Sequence, residues 1–401
     1  MIAEGPGEPS RPREARAMTE QEQQIDWDPR SEEVQRDQIA AYDDMRRGCP
    51  VAHSPYGNWS VFRHADVVRI LDDPATFSNV VSTHLSVPNG MDPPEHTPFR
   101  EINDRYFTPA EMAAFEPACR EIARDLVTAL PRGEVELMAD LAADFANHVQ
   151  CRFMGWPESL REPLREWTLK NQEATLALDR TAMAAVAVEF DGYIREQLEV
   201  RRSAGPAAPA DTTTRLLAET ADGRALTDEE IVSLVRNWTV GELGTIAASV
   251  GIIVHYLATN PEVQGLLRED TGRIEAATDE ILRMHAPLIA NRRRTTAPVT
   301  IAGREIPAGE RVMVLWASAN RDEDVFGDPD EFRLDRDPAD NLLYGRGVHV
   351  CPGAPLARLE LRVLLEELLA GTTDLAPVPG KEPVRAAYPG SGFSWLPLRV
   401  V

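Results

Sequence analysis

Cysteine is scarce in this chain: four residues in 401. Cys49, Cys119, Cys151 and Cys351 form no Cys-x-x-Cys pattern and none of the Cys/His spacings of a metal site. Without a pairing logic they point to a reducing compartment. Positive charge is also short, with 42 Lys and Arg against 65 Asp and Glu and a net charge of -23. That balance excludes nucleic acid as a partner, because phosphates demand a basic face. Residues 1–24 are rich in Gly, Pro, Glu and Arg and lack an apolar stretch, so they read as a disordered tail rather than a leader or membrane anchor. No later segment reads as an unbroken apolar run able to span a bilayer. A cytoplasmic protein without membrane contact is the expectation, and no internal repeat interrupts it.

What is present is enough hydrophobic material, 43% of residues, for a large core. Trp59 to Phe62 reads as a short strand and Ala65 to Leu71 as an amphipathic helix stopped by Asp72-Asp73-Pro74. Val80 to Asn89 reads as an irregular loop, after which Asp92-Pro93-Pro94 opens another helix. Helical patterns dominate to about Ala258, broken by an exposed, flexible loop from Ser203 to Pro209. Pro261 fits the first turn of a further helix. Val299 to Ile301 and Arg311 to Leu315 read as strands.

The most telling stretch is Tyr344-Gly345-Arg346-Gly347-Val348-His349-Val350-Cys351-Pro352-Gly353. It sets one cysteine at the end of a glycine-punctuated loop, directly before a helix with apolar residues at helical spacing. The positive end of that helix favours the thiolate. Glycines permit tight turns and close approach of main-chain N–H groups to the sulfur.

This loop resembles the haem-thiolate signature of soluble bacterial cytochromes P-450, Phe-x-x-Gly-x-(His or Arg)-x-Cys-x-Gly. Tyr344 stands in the phenylalanine place, and Gly347, His349, Cys351 and Gly353 fill the others. The resemblance implies one haem domain over residues 25–401 and a mainly α fold, a large helical domain with a minor β-rich portion. It implies heme b (iron protoporphyrin IX) with the Cys351 thiolate as axial ligand, pushing electron density to iron. It further implies a monooxygenase that uses O2 and electrons from a separate ferredoxin and NAD(P)H-dependent reductase, since no flavin or nicotinamide fingerprint is visible. Arg346, Arg358 and Arg362 flank the cysteine loop and are candidates for a basic patch that receives an acidic ferredoxin.

Further matches carry site residues. Glu280 and Arg283 fit the family's Glu-x-x-Arg pair, one helical turn apart, with Arg333 or Arg336 as a third member. Haem propionates need cationic donors. By resemblance these are His96 and Arg100 at a helix start, Arg293 in a strand region flanked by Arg292 and Arg294, and His349. On the long helix, Thr245 fits the family's alcohol for proton delivery, but Gly244 stands where the acid is expected. Glu242 is displaced by two residues, about 200° around the axis, yet shares a face with Thr245 at i,i+3. Thr245 has a second reading, a hydroxyl bonded to its own helix carbonyl, and Glu242 a second reading as a structural carboxylate.

Val81, Leu85, Val87, Val240, Gly244, Leu288, Ile289 and Phe393 are the substrate-pocket residues by position, each open to a plain core reading. Their small apolar character suits a compact hydrophobic, aromatic substrate that is hydroxylated or O-dealkylated. A peroxide-driven enzyme and a non-catalytic haem protein stand beside the monooxygenase as alternatives.

Overall fold

A computed structural model describes residues 26–401; the expected tail, residues 1–24, lies outside them. Helices make up most of the molecule. The longest, Asp228–Thr259, starts at a capping box: Thr227 Oγ1 accepts from the Glu230 N–H at 3.2 Å, and the Thr227 N–H donates to Glu230 Oε2 at 2.8 Å. Asp228, Glu229 and Glu230 fill its first turn, where the helix dipole favours negative charge. By length and composition this helix could cross a membrane, contrary to the expectation from sequence, but over half of its most apolar window is buried in the fold. Ile252, Ile253, Val254 and Leu257 all lie in the main core, so its apolar character serves packing.

Two other helices pack against each other. The helix Pro109–Ala129 is capped by Thr108, with Pro109 in its first turn. The helix Ala354–Gly371 follows the cysteine loop and packs along it, burying Leu356, Leu361, Leu364 and Leu368. Alternating Leu and charged residues give this helix one apolar face and one carboxylate-rich face. Residues 203–209, expected as a loop, are exposed, but the preceding helix runs to Ala204 and a short helical turn covers Gly205–Ala207.

The β portion is a five-stranded sheet in the order Val51–Ser54, Asn58–Val61, Arg311–Leu315, Ala290–Thr295, Phe77–Ser78. All pairings are antiparallel except that of Arg311–Leu315 with Asn58–Val61. Strand alternation settles a choice the sequence left open: Arg293 and Thr295 point inward, whereas Arg292 and Arg294 are exposed. Val299–Ile301 pairs instead with Arg304–Ile306 in a separate hairpin.

The Glu280–Arg283 pair is part of a buried network. Arg283 Nε and Nη2 donate to Glu280 at 2.7 and 2.9 Å, and its remaining N–H groups reach the carbonyls of Asn320 and Pro329. Arg336 is the third member, with Nε 2.8 Å from Glu280 Oε1, while the Arg333 side chain turns to Asp335. This network ties the helix Ile274–His285 to the chain leading into the cysteine loop.

Candidate functional site

A cavity of about 370 Å³ lies between the long helix, the cysteine loop and the inner edge of the sheet. Cys351, His349, Arg293, Glu242 and Thr245 all line it. Cys49, Cys119 and Cys151 do not share that position: the last two are buried in the core, and the Cys49 thiol donates to the Val51 carbonyl at 3.5 Å.

The cysteine loop is closed by the Cys351 N–H donating to the Tyr344 carbonyl at 2.8 Å. Gly347 has φ +73°, and a Cβ there would sit 2.6 Å from the Leu71 carbonyl oxygen, so only glycine fits. The Arg358 guanidinium lies 4.5 Å over the Tyr344 ring, a cation–π contact that fixes the base of the loop. Around the sulfur, enclosure by protein pushes the thiol pKa up, and the N–H groups of Gly353 and Ala354 pull it down.

At the rim, His96 and His349 stand 4.4 Å apart between ring centroids, and the buried Nε2 of each lacks a hydrogen-bond partner. Burial lowers both pKa values, His349 to about 4, so these are neutral imidazoles. Arg293 is 4% exposed, and its hydrogen bond among the described residues goes to the Arg292 carbonyl. Burial pulls its pKa down to about 10. A buried cation beside two unfilled imidazole nitrogens is a donor set awaiting anionic oxygens, so these residues fit a porphyrin with propionates. Arg100, on the same helix as His96, holds the loop, donating to the carbonyls of Val348 and Val350 and to Asp104.

On the long helix, the Thr245 hydroxyl donates to the Gly241 carbonyl, the alternative that the sequence left open. Ser249 Oγ repeats the pattern to the Thr245 carbonyl at 2.7 Å. Gly244 is exposed, and a Cβ there would meet nothing within 4 Å. Glu242 is half-buried beside the cavity, and its Oε1 is sealed from solvent.

Of the eight pocket candidates, Val81 and Leu288 line the cavity. Val87 and Phe393 are instead buried in the helical core and Ile289 in the core beside the N-terminal strands. Leu85 and Val240 are 40% and 44% exposed. Neither position along the chain nor apolar character separates a cavity wall from core. Sequence reasoning missed the aromatic wall, Phe107, Phe153 and Trp238, and the polar residues Gln150 and Asn237. Trp238 and Asn237 directly precede the glycine stretch, a signal that could have drawn attention to them.

The proposed basic patch is neutralised. Arg346 pairs with Asp72 at 3.0 Å, Arg358 with Asp279 at 2.9 Å, and Arg362 with Glu116 and Glu366 at 2.7 and 3.1 Å.

Comparison with known proteins bears directly on this geometry. The family model for cytochrome P450 matches residues 174–385. The erythromycin C-12 hydroxylase of Saccharopolyspora erythraea is 36% identical over 81% of this chain and 85% of its own length. The cyclomarin C epoxidase of Salinispora arenicola is 32% identical over 81% and 86%. Among solved structures, cytochrome P450 CYP109Q5 from Chondromyces apiculatus superposes with a TM-score of 0.83 at 30% identity, covering 92% of this chain and 97% of that one. The open form of EryK from S. erythraea gives 0.82 at 33%, covering 90% and 95%. Sequence, fold and the donor set around the cavity agree, and the chain belongs to the cytochrome P450 family, as a monooxygenase that carries heme b on a cysteine thiolate.

Proposed function

We propose that this monooxygenase hydroxylates or O-dealkylates a compact aromatic compound, with Cys351 as the thiolate ligand and His96, Arg100, Arg293 and His349 around the propionates. The observation that carries the reading is that Cys351, His349, Arg293 and Thr245 open onto one cavity, and the buried cation of Arg293 has no carboxylate partner among the described residues. Haem b, when bound through a thiolate, supplies reductive activation of O2. The chain supplies the rest. Val81, Leu288, Ile246 and the rings of Phe107, Phe153 and Trp238 form an apolar wall that excludes water and orients a flat substrate. Thr245 and Glu242 lie one helical turn apart on the cavity side of the long helix and hold water for proton delivery. Electrons come from a separate ferredoxin and an NAD(P)H-dependent reductase. With Arg346, Arg358 and Arg362 already paired, docking of that partner rests on shape more than on free positive charge.

Relatives named for erythromycin, cyclomarin C and vitamin D3 differ in substrate, so the substrate follows the cavity wall and not the fold. Two measurements test the proposal. Cys351→Ser abolishes the thiolate-type spectrum of the reduced CO complex; an unchanged spectrum removes the ligand assignment. Small phenols and aryl ethers shift the haem from low to high spin and are turned over with NADH, ferredoxin and reductase, with formaldehyde released from methoxyl groups. A shift confined to macrolide- or steroid-sized ligands removes the small-aromatic reading.

A further inference from the structure

A second cavity, of about 420 Å³, shares no lining residue with the haem cavity. The segment after the helix Ile274–His285 borders both: His285 and Ile289 face the second cavity, Pro287 and Leu288 the first. The other walls come from the helices Glu32–Arg36 and Gln38–Gly48 and from the turn that carries Arg385 and Ser391. Ser391 Oγ ties that turn to the segment by donating to the Ala286 carbonyl. The charges around this cavity are unequally committed. Asp43 is paired with Arg46 and Arg321 at 2.7 and 2.8 Å, and Asp330 with Arg321 at 2.8 Å. Asp37 caps its helix, Oδ1 accepting the Ala40 N–H at 3.1 Å. Arg36 and Arg385, exposed at the mouth, pair with no carboxylate among the described residues. The Arg385 guanidinium is instead fixed 4.6 Å over the Phe393 ring. The His285 ring makes no hydrogen bond among the described residues; burial, with Arg385 and Arg321 nearby, holds its pKa down to about 4. It is therefore a neutral imidazole with one N–H to give.

The geometry points to a second ligand site, for a small organic carboxylate: the Arg385 guanidinium takes its two oxygens, the His285 N–H adds a donor, and Ile39, Ile289 and Ala317 cover its hydrocarbon part. A planar guanidinium fork matches a carboxylate in shape as well as charge. Because Arg385 already rests on Phe393, little side-chain freedom is left for binding to remove. Enclosure by protein lowers the Arg385 pKa against the opposing pull of Asp37, and a bound carboxylate gives this cation the close partner it lacks. An amine finds no such welcome, since Asp43 and Asp330 are already taken by arginines. The volume is in the range of small-molecule sites and admits an acid of one ring. Binding forms no covalent bond, and the site stands apart from whatever substrate the haem cavity accepts.

The test is isothermal titration calorimetry of sodium benzoate into the full-length haem-loaded protein, with saturating 4-phenylimidazole filling the haem cavity. One equivalent of benzoate is expected to bind while the haem spectrum stays that of the azole complex. Benzamide, of similar shape without the charge, binds about tenfold more weakly or worse. Arg385→Gln weakens benzoate by about the same factor, to the level of benzamide, and Arg385→Lys recovers part of the loss. Arg292→Gln, which removes an arginine lining the haem cavity, leaves benzoate affinity unchanged. Absence of saturable binding overturns the proposal, as does equal affinity for benzoate and benzamide or an Arg385→Gln protein that binds as the wild type does. Displacement of the azole, or a loss on Arg292→Gln, places benzoate in the haem cavity and overturns it too. Failure of the small-aromatic reading registers in the spin-state titrations and leaves this calorimetry untouched.

Discussion

Glu280 and Glu360 sit on two helices that pack against each other, and both are almost completely buried. Their surroundings are opposite. Glu280 has two guanidinium groups, Arg283 and Arg336, within 2.9 Å, and a backbone N–H from Arg333. Glu360 has no guanidinium, only another carboxyl and a thiol. A carboxylate supplied with planar cationic donors becomes a fixed structural part, because removing either side leaves a buried charge. Deprived of them, the same side chain is kept protonated by burial. Identical chemistry on adjacent helices is thus held charged in one place and uncharged in the other.

That contrast can be broken most forcefully at Arg283. Arg283→Met leaves Glu280 with a single guanidinium and should cost about 3–5 kcal/mol, read as a lowered denaturation midpoint and poor haem retention. A near-neutral result would mean that Arg336 alone suffices.

The pH dependence sharpens the other side. Because the folded pKa values of Glu242 and Glu360 are raised above the ordinary 4.5, their contribution is fully present below that value and is lost as pH rises toward about 7. Relative to the Glu242→Gln/Glu360→Gln double variant, the wild type should lose up to about 2.7 kcal/mol per pH unit over that window, about 1.4 for each carboxyl. Denaturant titrations at several pH values check this; a constant gap would show that the pair does not titrate.

The smallest effect belongs to the partly exposed network of Arg120, Arg362, Glu116, Glu366 and Glu367 on the outer side of the same helix. Glu367→Gln should stay within about 1 kcal/mol of wild type and fade with salt. A larger loss at high salt would place this network in the same class as Glu280.

Much of this was legible from residues alone. The cysteine loop carries its own conformation: Gly345 and Gly347 both adopt φ +73°, and the following Leu-rich periodicity forms the expected helix. The long helix runs from Asp228 to Thr259, against an expected core of Ile231 to Leu257. Pocket residues were harder. Val87 and Phe393 carry the same apolar side chains as Val81 and Leu288, and period or hydropathy cannot tell a wall facing a cavity from one facing other side chains. Glu360 left one trace, an acid set between Leu359 and Leu361 on a helix whose neighbours face the core, but its partner is on another helix.

The order of residues by itself determined what is local: turns that only glycine tolerates, caps, helical and strand periods, and a cysteine at a helix start. Tertiary structure decided which charges meet. Arg346, Arg358 and Arg362 found carboxylates from other segments and ceased to be a free patch, while Glu242 and Glu360 met each other away from every guanidinium. The reason is physical: a backbone turn depends on neighbours within a few residues, whereas an ionisable group takes its character from distant chain brought within a few ångströms and from the water that packing removes.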